Sequence, residues 1–285
     1  MTQASPQDTL DILLARSQEA RTPCGEGQLV WRIWGNHARP AVVLLHGGFG
    51  AWNHWVRNIP ALEADYRVIV PDLPGCGDSD QPPARPDAES LASILSAGLD
   101  LVVREDTPFD LMGFSFGGLL AGPIAQIQSR RVRSLTIVGT PILGLTTTGP
   151  ANALQPVPPD MAPEEAAPIY RRNLEKLMVH NPDAVDDLAM TLHMENMAKT
   201  RLRSRGIARR TIAADSLRGL ACRMGFIYGA GDVTLDPDLD AVRAAAADIQ
   251  PEAPFHVVPN TGHWVQYEAA DRFNPLMARL LGAPA

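Results

Sequence analysis

Gly113-Phe114-Ser115-Phe116-Gly117 is the segment of this chain with the most chemical content. It is a G-x-S-x-G, directly after the apolar run Phe109–Met112 and directly before a helix-period segment. Strand, tight turn and helix in that order present a serine hydroxyl at the C-terminal edge of a sheet. Glycines suit such a turn because side chains there would meet neighbouring backbone. A serine becomes a nucleophile only beside a base. Of the seven histidines, His263 is placed for that role: it follows Thr261-Gly262, just past the run Phe255–Val258. His37 and His54 stand in exposed-looking or helical contexts, His180 and His193 lie in a different region, and His256 reads as a packed strand side chain. The base needs an acid that fixes its tautomer and stabilises the imidazolium. Asp232 in Gly229-Ala230-Gly231-Asp232 directly follows the run Met224–Tyr228. Asp236 and Asp238 are runners-up whose Pro-spaced positions suit a turn and a helix start. The expected catalytic set is therefore Ser115, Asp232 and His263.

Acyl transfer also needs donors aimed at the oxyanion. His46-Gly47-Gly48-Phe49-Gly50 follows the run Ala41–Leu45 and precedes a helical segment. Phe116, after the serine, would supply one backbone N–H, and Gly48 or Phe49 the other; the sequence leaves that choice open. The loop lacks the Lys-Ser/Thr of a P-loop and the G-x-G-x-x-G of a dinucleotide site.

These groups must be positioned by regular elements. Ala41–Leu45, Arg67–Val70, Phe109–Met112 and Leu135–Val138 read as buried strands, and Ala51–Ala64, Ala88–Arg104 and Gly117–Ser129 as helices between them. Such alternation predicts a parallel sheet covered on both faces. Leu29–Trp34 reads as an antiparallel edge strand. The alternation stops near Pro141 and resumes with the strand Met224–Tyr228, the helix Leu239–Ala247, the strand Phe255–Val258 and a final helix from Trp264 to Leu281. Between lie seven prolines and then helical patterns at Tyr170–His180 and Asp183–Arg203, broken at Asn181-Pro182. An α/β core (1–140 and 216–285) interrupted by a helical lid (141–215) is the expected organisation. The lid would emerge on the serine's side of the sheet. Its Leu174, Leu177, Met178, Leu188, Leu192 and Met194 would line a substrate pocket, with Phe49, Phe114, Phe116 and Trp264 from the core side.

The chain has 285 residues, 25 basic and 32 acidic side chains, and a net charge of −7. That balance argues against nucleic-acid binding, where affinity comes largely from neutralising phosphates. Three widely spaced cysteines form neither a disulfide framework nor a metal motif. No basic-then-apolar leader opens the chain and no run approaches the roughly 18–20 apolar residues of a membrane span. The expectation is a cytoplasmic protein acting on a small molecule, without nucleic acid, membrane, metal or organic cofactor; a homodimer stays open. Lys199, Arg201, Arg203, Arg205, Arg209 and Arg210 read as a solvated basic face, or as recognition of a carboxylate-bearing substrate.

The motifs together resemble the α/β-hydrolase superfamily. The matching pieces are His46–Gly50, Pro71–Asp80, Gly113–Gly118, Gly229–Asp232 and Gly262–Glu268. The resemblance implies a mostly parallel, eight-stranded type of sheet with helices on both faces, and a serine hydrolase using the Ser…Asp…His order. Asp72 and Asp78 then read as turn-stabilising and Cys76 as an inert apolar side chain. Gly262-His263-Trp264-Val265-Gln266 and Asn181-Pro182-Asp183 are similar to the lid-bearing group that includes meta-cleavage-product C–C hydrolases. Those enzymes usually have Asn where this chain has Phe114, and Trp where it has Tyr267. Cleavage of a carboxylic ester or lactone is the expected reaction. C–C bond hydrolysis and a non-catalytic small-molecule receptor are the alternatives.

Overall fold

The structure, a computed structural model, describes residues 5–83, 85–145, 154–158, 160–235 and 238–282. Its strands are β1 (Gln18–Cys24), β2 (Gly27–Trp34), β3 (Ala41–Leu45), β4 (Arg67–Pro71), β5 (Phe109–Phe114), β6 (Val132–Val138), β7 (Arg223–Gly229) and β8 (Phe255–Val258). Its helices are α1 (Pro6–Ala15), α2 (Ile59–Leu62), α3 (Ala88–Val102), α4 (Phe116–Ile127), α5 (Pro163–Leu177), α6 (Asp187–Lys199), α7 (Ser204–Ala208), α8 (Ala213–Leu217), α9 (Leu239–Ile249), α10 (Val265–Glu268) and α11 (Ala270–Leu281). The strands form one sheet in the order β1-β2-β4-β3-β5-β6-β7-β8. β1, β2 and β4 pair antiparallel and every other neighbour pairs parallel.

Why the middle strands are continuous apolar runs follows from the layers. In β3, Ala41, Val43 and Leu45 join the cluster under α3, α4 and α9, while Val42 and Leu44 join the cluster under α1, α2 and α11. Successive strand residues point to opposite faces, so a sheet covered twice needs apolar side chains at every position. Between β6 and β7 the described residues hold four helices, α5 to α8, and no strand. Among the described residues, no helix is long and apolar enough to cross a membrane.

Several elements differ from the sequence expectation. The antiparallel strand at Leu29–Trp34 exists, but the sheet edge is β1. Gln-Glu-Ala-Arg-Thr-Pro-Cys carries little apolar signal because an edge strand has one partner and much open surface. Ala51–Ala64 is not one helix: a 3-10 turn at Trp52–Trp55 gives way to the four-residue α2. Pro60 has no N–H to continue the earlier turn. The last helix breaks at Ala269 into α10 and α11. Asp183–Arg203 is not one helix: it holds most of a 3-10 turn at Pro182–Ala184, then α6, and ends at Arg203, the cap of α7. Helix α1 was not expected; it is closed at its start by a reciprocal Ser5–Asp8 capping box.

His46, at the end of β3, shows how the loops are tied to this sheet. It is fully buried. The Leu73 N–H donates to its Nε2 at 2.9 Å, so its proton sits on Nδ1, 2.7 Å from the Gly47 carbonyl. Burial lowers its pKa from 6.5 to about 4. His193 is likewise lowered to about 4, and His54 well below 6.5. Asp72 accepts from the Trp52 and Asp78 N–H groups, and burial raises it to about 6. Below pH 6.5 an unfolded imidazole takes a proton that folded His46 refuses until about pH 4. The stability from these histidines is full above that upper value and drains as pH falls through this window. Asp72 opposes, since its folded carboxyl protonates first. Three groups outweigh one. The thermal midpoint should fall between pH 7 and about pH 5, with His46 alone contributing about 2 kcal/mol of loss. A His193→Gln variant should show a shallower fall. A midpoint that is flat or rising over that interval would show that these imidazoles are not held neutral.

Candidate active site

Ser115 ends β5 and caps α4 in a conformation that non-glycine residues rarely adopt, φ 52° and ψ −114°. Its neighbours explain how the turn can be so tight. A Cβ on Gly113 would lie 2.5 Å from the Gly118 Cα, and one on Gly117 would lie 2.5 Å from the His46 carbonyl oxygen. The G-x-S-x-G spacing is thus a packing requirement of strand against helix. The turn is tied down by the Ser115 N–H donating to the Val138 carbonyl at 2.8 Å. Thr140 Oγ1 in turn donates to the Ser115 carbonyl at 3.1 Å. Such strain costs about 1–3 kcal/mol and persists only where surroundings over-determine it. Phe49 has the same kind of backbone, φ 57°. Both residues line one small cavity.

Three side chains from separate strand ends meet there. Ser115 Oγ lies 2.9 Å from His263 Nε2, and His263 Nδ1 lies 2.9 Å from Asp232 Oδ2. A carboxylate only accepts, so the imidazole proton sits on Nδ1 and Nε2 is free to accept from the hydroxyl. The Asp232 carboxylate is fully buried and His263 nearly so. Asp232 is held by Thr234, whose Oγ1 and N–H both reach Oδ1, at 2.7 and 2.9 Å. Thr234 Oγ1 also lies 3.1 Å from His263 Nδ1. Sequence reasoning missed Thr234; the signal available was Asp-x-Thr, an Asx-type turn. Asp238 caps α9 by accepting from the Ala241 N–H. Asp236 lies outside the described residues.

The cavity at Ser115 has a volume of about 80 Å³. Gly48, Phe49, Phe114, Phe116 and Met178 of the expected site all line it, with Leu177 and Thr234. As the first residue of α4, Phe116 has an N–H with no partner inside the helix. An adjoining chamber of about 240 Å³ shares Gly48, Phe49, Leu177, Met178 and Arg205, and adds Leu174, Tyr170, His54, His193 and Met197. Four expected pocket residues, Trp264, Met194, Leu188 and Leu192, line neither chamber. Trp264 is buried beneath the site, stacked on Tyr267 at 4.1 Å and donating from Nε1 to the His54 carbonyl. Met194 is one position past His193, about 100° further round α6. His193 and Met197, four residues apart, face the chamber instead. Leu188 and Leu192 pack into the core cluster beneath α1 and α11. A wider cleft of about 1110 Å³ between Gln81–Asp87 and Arg201–Ser216 touches none of Ser115, Asp232 or His263.

Other motif residues stabilise loops. Asp78 pairs with Arg32 and Lys199. Cys76 is buried, which pushes its thiol up to about 12. The His263 loop is bolted to the chain after α5. Glu268 accepts from the Gly262 N–H at 2.6 Å, the Asn181 N–H at 2.7 Å and the His180 N–H at 3.0 Å. The Trp264 N–H donates to the Met178 carbonyl at 2.6 Å.

Residues 42–276 match the family model described as the Alpha/beta hydrolase family. One relative is the dihydrolipoyllysine-residue acetyltransferase component of the acetoin cleaving system of Pseudomonas putida. It is 29% identical over 268 residues, 89% of this chain and 66% of that one. The chain thus spans about two thirds of that relative's length. Another is the 2-hydroxy-6-oxononadienedioate/2-hydroxy-6-oxononatrienedioate hydrolase of Paraburkholderia phymatum, 29% identical over 266 residues, 86% of this chain and 88% of that one. Among solved structures, the carboxylesterase CesB of Bacillus subtilis superposes with a TM-score of 0.78 at 16% identity, over 98% of this chain and 96% of that one. The meta-cleavage product hydrolase CumD of Pseudomonas fluorescens gives 0.74 at 24%, over 92% and 96%. These two show the shared fold.

The Glu268 clamp has a measurable consequence. Glu268→Ala leaves three backbone donors without their acceptor and should lower stability by about 2 kcal/mol. Denaturant midpoints at constant m would read it. A change within experimental error would mean that solvent replaces the carboxylate at no cost.

Proposed function

This chain belongs to the α/β-hydrolase family, and we propose that it is a serine hydrolase that cleaves a carboxylic ester or lactone through an acyl-enzyme. The supporting observation is the hydroxyl–imidazole–carboxylate line, 2.9 Å at each link, whose hydroxyl and imidazole line a small cavity. Ser115 attacks the carbonyl carbon while His263 Nε2 takes the hydroxyl proton. Asp232 holds the imidazole in the Nδ1–H tautomer and stabilises its charged form. The N–H of Phe116, with that of Gly48 or Phe49, receives the oxyanion. His263 returns the proton to the leaving alcohol, and water repeats the cycle on the acyl-enzyme.

The segment 141–215 acts as a lid on this reading. Leu174, Leu177 and Met178 line the two chambers from it, exclude water and select the substrate. A second reading, C–C hydrolysis of ring-cleavage products by the same three residues, is favoured by the relative whose name states a dienedioate hydrolase. Phe114 supplies a ring beside His263, with centroids 5.0 Å apart. A polar side chain there would serve a dienol–keto substrate better.

Ser115→Ala should cut kcat on short acyl esters by at least about 1000-fold. Asp232→Asn should fold normally and lose a comparable factor, because Asn favours the wrong tautomer. Turnover retained in Ser115→Ala would sink the acyl-enzyme reading. If esters are inert and a dienoate loses its visible absorbance, the C–C reading replaces it. Leu177→Ala should shift selectivity between small and bulky esters by about 1–3 kcal/mol in kcat/KM; an equal loss on all esters would make the segment a stability element only.

A further inference from the structure

Arg205 is the exception within the basic cluster of the β6–β7 segment. Lys199 is paired with Asp78 at 2.8 Å, and Arg201 donates to the Ser79 and Gly77 carbonyls. Arg203, Arg209 and Arg210 are exposed. Arg205 is half-buried and lines both the Ser115 cavity and the adjoining chamber. Its guanidinium carbon stands 5.3 Å over the Phe49 ring.

Nothing among the described residues neutralises it. Among the described residues, Arg205 has no carboxylate partner, and no Asp or Glu lines either chamber. The other polar groups of the outer chamber are Tyr170, Asn173, Gln155, His54 and His193. Burial keeps both histidines neutral at physiological pH. Desolvation and the like charge of Arg209 weaken the hold of Arg205 on its proton, the signature of a cation without a counter-ion. Removing a guanidinium from water without an acceptor is unfavourable. A face-on aromatic ring compensates only part of that and leaves the planar fork of N–H donors unused. The fork matches a carboxylate in two parallel hydrogen bonds.

We infer that Arg205 anchors a carboxylate of the substrate, so that the site selects esters carrying a second, anionic group a short chain away from the scissile carbonyl. This rests on the serine-hydrolase reading for the reaction, but not for the anion site itself. The ester's carbonyl sits at Ser115 in the inner cavity. Its carboxylate lies at the junction of the two chambers, against the Phe49–Arg205 pair. The single cation among the described lining residues orients the substrate.

The experiment compares monoethyl glutarate with its near-isosteric neutral counterpart, ethyl isoheptanoate, by ethanol release. Wild type should favour the half-ester in kcat/KM. Arg205→Gln should reduce kcat/KM for the half-ester at least tenfold more than for the neutral ester, chiefly through KM, and Arg205→Lys should recover part of the difference. Glutarate binding to the Ser115→Ala protein, read by calorimetry, should weaken at least tenfold when Arg205→Gln is added. Equal losses on both esters, with glutarate binding indifferent to Arg205, would overturn the anion site and leave the hydrolase standing. Arg205-dependent glutarate binding without turnover of either ester would keep the anion site and overturn the ester-cleavage reading.

Discussion

The arrangement depends on one constraint: the backbone at Ser115 must turn from β5 into α4 at φ 52°. A serine does not hold that conformation by itself. It is held because β5 lies in the middle of the sheet, hydrogen-bonded to β3 and β6, and because α4 is pressed onto the strand ends with no side chain at Gly113 or Gly117. The strain is repaid by two buried core clusters that pin the sheet from both faces. The hydroxyl is then fixed relative to the ends of β3, β6, β7 and β8.

Parallel strands make this convergence cheap. β7 and β8 run in the direction of β5, so the loops after them emerge at the same edge. Asp232 follows β7 directly and His263 follows β8. A residue in either loop can reach the serine without any long excursion of the chain. The loop carrying His263 is short of regular structure, and Glu268 supplies what a helix would have supplied, an acceptor for the Gly262 N–H. The same carboxylate holds the His180–Asn181 turn. Movement of the proposed lid at that point is therefore mechanically tied to the imidazole.

The interior of the site is apolar except at chosen points. Phe49, Phe114, Phe116, Leu119 and Leu145 surround Ser115. In such surroundings each remaining polar group acts in a low dielectric, so its orientation matters more than its number. Thr234 fixes the carboxylate, the carboxylate fixes the imidazole, and the imidazole addresses the hydroxyl. Arg205 is the exception to this completeness, a donor set with no acceptor of its own among the described residues.

What the sequence by itself determined was the part written in local spacing. The G-x-S-x-G, the apolar runs of β3, β5 and β7 and the glycine-bounded Asp232 and His263 are local signals. The period of a twice-covered strand and the packing of a strand against its helix act within a few residues. Polar, edge-placed β1 carried no such signal, and α2 was shortened by Pro60. The pocket was the part that only tertiary structure decided. Met194 and His193 are neighbours in sequence, and a rotation of about 100° separates the one that faces the chamber from the one that does not. Trp264 adjoins His263 yet stacks away from it on Tyr267. Arg205 was one of six basic residues in a cluster, indistinguishable by type or spacing. Its distinct role came from the placement of α7 against Phe49, a contact between residues more than a hundred positions apart. Long-range packing of that kind depends on how the whole segment settles on the core, and no local pattern encodes it.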